Sequence, residues 1–154
     1  MRILIVEDEP NKERKIKEFL CSLFPVELDV VRSVISAKLK LKEKTDYDFI
    51  LLDMTLPLYD NDDLDYIDDN EFEAFGGECI LDEIERLCIH TKVVIITAFD
   101  VLGDGAQHID LETLSNRIKH EFPELFVGSV FYNATSTKWK EELKELLKKG
   151  ELRW

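Results

Sequence analysis

Long apolar runs are missing from this sequence. None approaches the roughly 18 residues of a membrane span. The first, Ile3–Val6, is followed at once by Glu7, Asp8 and Glu9, so it is not expected to be a secretory signal. Basic side chains are few: 20 lysines and arginines against 33 aspartates and glutamates, a formal net charge of −13. That deficit argues against non-specific binding to nucleic acid or to anionic lipid, both of which need a basic footprint. Cysteine is sparse. Cys21, Cys79 and Cys88 cannot all pair and none has a metal-ligand spacing. They are expected to be buried or half-buried reduced thiols of a cytoplasmic protein. With no Gly/Ser linker and no internal repeat, residues 1–154 read as one domain.

What is present suffices for a core: 45% of the residues are hydrophobic and 34% charged. Short apolar runs alternate with amphipathic stretches. Arg2–Val6 suits a strand buried on both faces. From Pro10 to Phe24, Ile16, Phe19, Leu20 and Leu23 recur at helical spacing, with lysines and glutamates opposite. The lysines there, Lys12 among them, read as a solvated face with a possible part in docking a partner. Val26–Val31 is a second strand candidate. Ser33 can cap a helix carrying Val34, Ala37 and Leu41. Phe49–Leu52 is a third strand, ending abruptly at Asp53. Ile80, Leu81, Ile84, Leu87 and Cys88 mark another helical face, and Val93–Ile96 a fourth strand ending at Thr97. Leu111, Leu114 and Ile118 predict a helix stopped near Pro123. Phe126–Tyr132 reads as the fifth strand, and Trp139, Leu143, Leu146 and Leu147 as the core face of the last helix. This alternation predicts an α/β fold, a parallel sheet with helices on both faces.

Two stretches break the pattern. Asp60–Glu73 holds eight acidic residues and no basic one, and Asp100–Gln107 is rich in Gly and Asp. In the first, Asp60, Asp62, Asp68 and Glu71 match parts of an EF-hand count. Leu64 and Asp65 spoil it where a ligand and a glycine are needed, so calcium is disfavoured. A solvated acidic loop is the default, and a docking surface for a basic partner the alternative. Tyr59, Leu64, Tyr66, Ile67, Phe72 and Phe75 favour the alternative, unless they pack on the domain itself. His90, His108 and His120 have no partner at a telling spacing and read as surface residues.

Ligands of an open parallel sheet bind outside the carboxyl ends of its strands. There the sequence places Glu7 and Asp8 after the first strand, Asp53 after the third and Thr97 at the end of the fourth. Clustered carboxylates repel one another unless a cation sits among them, and hard oxygen ligands favour magnesium. Mg²⁺ typically takes one or two carboxylates and completes its shell with water and phosphate oxygens. An excess of carboxylate therefore points to phosphoryl chemistry, with Asp53 as nucleophile and the Thr97 hydroxyl donating to a phosphoryl oxygen.

The strings Ile3–Glu9 (ILIVEDE), Phe49–Pro57 (FILLDMTLP) and Val93–Phe99 (VVIITAF) resemble the receiver domain of two-component response regulators. The resemblance implies a doubly wound, five-stranded, flavodoxin-like sheet of order 2-1-3-4-5. It also implies phosphoryl transfer to Asp53 from a histidine kinase or phosphotransfer protein. Carried over, Asp8, Asp53 and the main-chain carbonyl of Thr55 would ligate Mg²⁺, and Glu7 would act mainly through water. Thr97 would be the mobile hydroxyl, with Ala98 the small residue beside it. Thr55 and Phe99 would flank the path of the hydrolytic water. Against the pattern, a Lys-Pro pair is missing from the end of strand five. Asn133 is the nearest polar replacement, Lys138 the next cation along, and Phe131 and Tyr132 compete for the aromatic switch position. Insertions are expected at about 58–75 and 100–122, the second in the crossover through which receivers usually dimerise.

Only Glu151–Trp154 follow Gly150, so the expected protein is a stand-alone receiver and not an enzyme. Its signal would leave through contact with an unknown protein partner. The alternatives are a pseudo-receiver that is not phosphorylated, and a phosphatase of the haloacid-dehalogenase type. The latter lacks its second aspartate: Thr55 and Pro10 stand where it would be needed.

Overall fold

The structure is a computed structural model, and it describes residues 1–60, 72–73, 76–98, 101–102 and 109–151. Phe99, most of the acidic stretch, most of the Gly/Asp-rich stretch and His108 lie outside the described residues. The first half runs β1 (Arg2–Val6), α1 (Pro10–Leu23), β2 (Glu27–Val31), α2 (Val34–Glu43), β3 (Phe49–Leu52), β4 (Leu56–Pro57) and β5 (Phe72–Glu73). The second runs α3 (Gly76–Arg86), β6 (Lys92–Thr97), β7 (Val101–Leu102), β8 (Ile109–Asp110), α4 (Leu111–Glu121), β9 (Phe126–Phe131) and α5 (Lys138–Glu151). Five strands form one parallel sheet of order β2-β1-β3-β6-β9. Counting only these five, the order is the expected 2-1-3-4-5.

The period-two alternation of each strand divides the core between the two sheet faces. Leu4, Val6, Ile50, Leu52, Val93 and Ile95 point to one face, where residues of α2, α3 and α4 cover them. Ile3, Ile5, Phe49, Leu51, Val94 and Ile96 point to the other, beneath α1 and α5. Every residue of β3 is buried, as its apolar run predicts, whereas β2 at the sheet edge is only half-buried.

Both irregular stretches open and close on short antiparallel pairs. Leu56 and Pro57 pair with Glu73 and Phe72, and Val101 and Leu102 with Asp110 and Ile109. In the fourth crossover the irregularity therefore ends at β8, and α4 follows as an ordinary helix capped by Asp110. The cysteines correct an expectation: Cys21, Cys79 and Cys88 are all exposed free thiols. Cys79 lies next to the buried Ile80 but off the apolar stripe of α3, and Cys88 follows the helix with a left-handed backbone, φ 54°. His90 and His120 are exposed, as expected. Among the described residues, no helix is long and apolar enough to cross a membrane.

The start of α3 is pressed against the chain just after β3. The Gly77 N–H donates to the Met54 carbonyl at 3.1 Å. A Cβ on Gly77 would stand 2.5 Å from Met54 Sδ and 2.9 Å from the Asp53 carbonyl oxygen. The second contact is with backbone, which cannot swing aside. Gly77→Ala should therefore lower unfolding free energy by about 1–3 kcal/mol, the usual cost of overpacking. Urea denaturation of the two proteins measures it; an unchanged midpoint would show that the turn after Asp53 has room to move.

Candidate functional site: a carboxylate cluster closed by a lysine from the first helix

Parallel pairing of β1 with β3 sets Val6 opposite Leu52, so the residues that follow, Glu7 and Asp53, emerge side by side at the carboxyl edge. Backbone hydrogen bonds hold both ends in place. The Glu7 N–H donates to the Val31 carbonyl and the Asp53 N–H to the Val6 carbonyl, each at 3.0 Å. Glu7 and Asp53 are buried, and Asp8 half-buried. One carboxylate oxygen from each of the three lies within 4.8 Å of the others. Thr97 closes β6 fully buried, Thr55 sits half-buried in the turn after β3, and Ala98 is exposed.

The cation in this cluster is Lys12, expected on a solvated face. Its side chain is only 3% exposed. Its Nζ lies 2.5 Å from Glu7 Oε2 and 3.4 Å from Asp53 Oδ2, and donates to the Ile96 carbonyl oxygen at 2.8 Å. The start of α1 aims it there. Pro10 occupies the first turn, and the Glu9 carboxylate caps the helix by accepting from the Asn11 and Lys12 N–H groups. Glu7 Oε1 accepts from the Glu9 N–H at 3.1 Å, tying the cap to the cluster. A signal for this was present in the sequence. Lys12 stands four residues before Ile16 and eight before Leu20, so it continues the buried stripe of the helix.

Around Lys12 the two aromatic residues at the end of strand five differ in burial. Tyr132 is buried, its ring centroid 5.8 Å from Lys12 Nζ and 5.1 Å from the Trp139 ring, whereas Phe131 is 41% exposed. Asn133 is exposed, and its Oδ1 accepts from the Thr135 N–H and hydroxyl, closing a turn. Lys138 is 82% exposed and pairs loosely with Glu142, 3.9 Å away. The structure thus leaves both Asn133, the nearest polar residue to the missing strand-five lysine, and Lys138, the next cation along, exposed. The chain leaves β9 toward solvent before it reaches them.

When all three carboxylates are ionised, one ammonium leaves two negative charges, the charge that a divalent cation cancels. Burial pushes the Glu7 carboxyl up to about 8, with Lys12 opposing and Asp53 adding to the rise. Burial and the Asp53 charge likewise raise Asp8. Asp53 Oδ1 is buried with no hydrogen-bond partner among the described residues. An orphaned carboxylate oxygen costs free energy unless something binds it. Hard oxygen donors, excess negative charge and an unsatisfied inward oxygen together fit a divalent metal ion.

No protein-family model matches the chain. It is 33% identical over 144 residues to the uncharacterized protein y4jR of Sinorhizobium fredii, spanning 94% of this chain and 95% of that protein. It is 25% identical over 144 residues to the Detocs response regulatory protein DtcB of Enterobacter cloacae, spanning 93% and 95%. Among solved structures, the signal receiver domain of a LuxO repressor protein from Vibrio parahaemolyticus superposes with a TM-score of 0.60 at 24% identity, over 98% of this chain and 92% of that one. The response regulator TrrA of Thermotoga maritima, in complex with Mg²⁺ and BeF, gives 0.56 at 21% identity, over 94% and 97%. With the sheet order already described, the chain has the fold of the receiver domains of response regulators.

Mutual repulsion in the cluster has a consequence for stability. With divalent cations removed by a chelator, Asp8→Asn should raise the melting temperature by a few degrees, because it deletes a charge that burial and Asp53 both disfavour. A scanning calorimeter reads the difference; a fall would mean that Asp8 makes stabilising contacts outweighing the repulsion.

Proposed function

We propose that this receiver accepts a phosphoryl group on Asp53 in a Mg²⁺-dependent reaction and passes the signal on through contact with another protein. The observation that carries the reading is the buried, unpartnered Oδ1 of Asp53 within the three-carboxylate cluster. Asp8, Asp53 and the Thr55 carbonyl would hold the metal, which when bound neutralises charge on the transferring phosphoryl oxygens. Asp53 is the nucleophile. A carboxylate oxygen forms an O–P bond as the P–N bond of a phosphohistidine breaks, and the electron pair leaves with the imidazole, which takes a proton from solvent. The donor is then a histidine kinase or a phosphotransfer protein. Thr97, fully buried at the end of β6, supplies a hydroxyl donor on the β6 side of the site.

The alternative of an unphosphorylated pseudo-receiver drew its force from the lack of a lysine at Asn133. Lys12 weakens that argument, because a cation stands in the site from another direction.

Two measurements test the reading. Incubation with Mg²⁺ and acetyl phosphate should add the mass of one phosphoryl group, and Asp53→Asn should abolish the adduct. No adduct on the unaltered protein would leave the pseudo-receiver. Separately, Mg²⁺ should raise the melting temperature by mass action, and Asp8→Ala should remove most of that rise. An undiminished rise in Asp8→Ala would place the metal elsewhere.

A further inference from the structure

We propose that Lys12 is the cation that pairs with the phosphoryl group on Asp53, delivered from helix α1 in place of a lysine at the end of strand five. The inference rests on the phosphoryl-acceptor reading above and adds to it the residue that holds the product.

The geometry is specific. The Lys12 ammonium has three hydrogens; one is given to the Ile96 carbonyl and one to Glu7 Oε2, and Asp53 Oδ2 stands 3.4 Å from the nitrogen. Asp53 thus divides its oxygens: Oδ2 toward the ammonium, Oδ1 orphaned. An ion pair this deeply buried seldom stabilises a fold more than apolar packing would, so its presence asks for a functional reason. Phosphorylation supplies one. Each phosphoryl oxygen extends two bonds beyond the carboxylate oxygen that carries it, within reach of an ammonium already this close. Lys12 need only exchange one acceptor, Glu7 or the Ile96 carbonyl, for a phosphoryl oxygen. It keeps all its protons, and no bond forms or breaks at the lysine.

That exchange would be felt beyond the site. Lys12 touches the residue after β1, the residue after β3, the carbonyl one residue before Thr97 on β6 and the ring of Tyr132 after β9. One ammonium spans the carboxyl ends of four adjacent strands, and it belongs to the first turn of α1.

The test is the Lys12→Gln variant, whose amide can still donate to the Ile96 carbonyl. Its fold is checked by its melting transition, and its rate of phosphorylation by acetyl phosphate with Mg²⁺ is followed by mass. The rate should fall about tenfold or more, in keeping with loss of a buried donor to developing charge. An adduct forming at the unaltered rate would overturn the role of Lys12 while leaving Asp53 as acceptor. No adduct on the unaltered protein would overturn the acceptor reading and this one with it. Should Lys12→Gln fail to fold, the unaltered protein decides. In a crystal structure with Mg²⁺ and beryllofluoride, Lys12 Nζ should donate to a fluorine. An Nζ still on Glu7 and Ile96, away from fluorine, would overturn the proposal.

Discussion

Glu7 and Asp53 leave two paired strands side by side, and the Lys12 ammonium lies against both of them. Much else at this end of the molecule follows from holding one cation among three carboxylates. The cap of α1 must be firm, and the Glu9 carboxylate and Pro10 make it so. The Ile96 carbonyl must accept from the ammonium, which ties α1 to β6. A charge group that is buried with its partners satisfied is rigid, whereas a half-satisfied one is costly. Here the satisfied part is the lysine and the unsatisfied part is Asp53 Oδ1. The site therefore offers one inward oxygen to an incoming cation while the rest of the cluster stays fixed.

Bringing the cation in on a helix also changes which parts of the fold sense the site. A lysine at the end of a strand reports to that strand. Lys12 sits in the first turn of α1, whose Ile16 and Leu20 pack into the core face shared with α5. Phe19 meets Trp139 edge-on at 5.6 Å, and Trp139 meets Tyr132, whose ring stands near Lys12. The chain of contacts runs from the carboxylates through α1 and α5 and back to the end of β9.

Much of this was legible in the residues. The apolar runs at Arg2–Val6 and Phe49–Leu52 are strands with those bounds, because a strand buried on both faces keeps its polar residues to its ends, as Arg2 shows. Pro10 and Ser33 mark the starts of α1 and α2 by their capping chemistry. Glu7, Asp8 and Asp53 were readable as neighbours, since the parallel topology sends residues just past strand ends to one edge. Less was legible where burial turns on tertiary fit. The three cysteines look apolar enough to bury but sit off the packed stripes. Lys12 looks solvated, because a lysine on a helix ordinarily is.

What the sequence by itself determined is the parallel sheet and the acidic edge, while the strand order came only with the resemblance to receiver domains. The first two follow from short-range pattern: continuous apolar runs against period 3.6, and polar residues placed directly after those runs. What only the tertiary structure decided is which cation closes that edge. Lys12 and Lys138 are far apart along the chain, and although Lys12 continues the Ile16 and Leu20 stripe, that spacing does not say which carboxylates it meets. The choice depends on the direction in which α1 leaves β1 and on the point at which β9 turns to solvent. The first carries Lys12 inward over Asp53, and the second leaves Asn133 and Lys138 exposed. Both are set by the packing of helices on the finished sheet, and a long, flexible ammonium follows whichever carboxylates that packing brings within its reach.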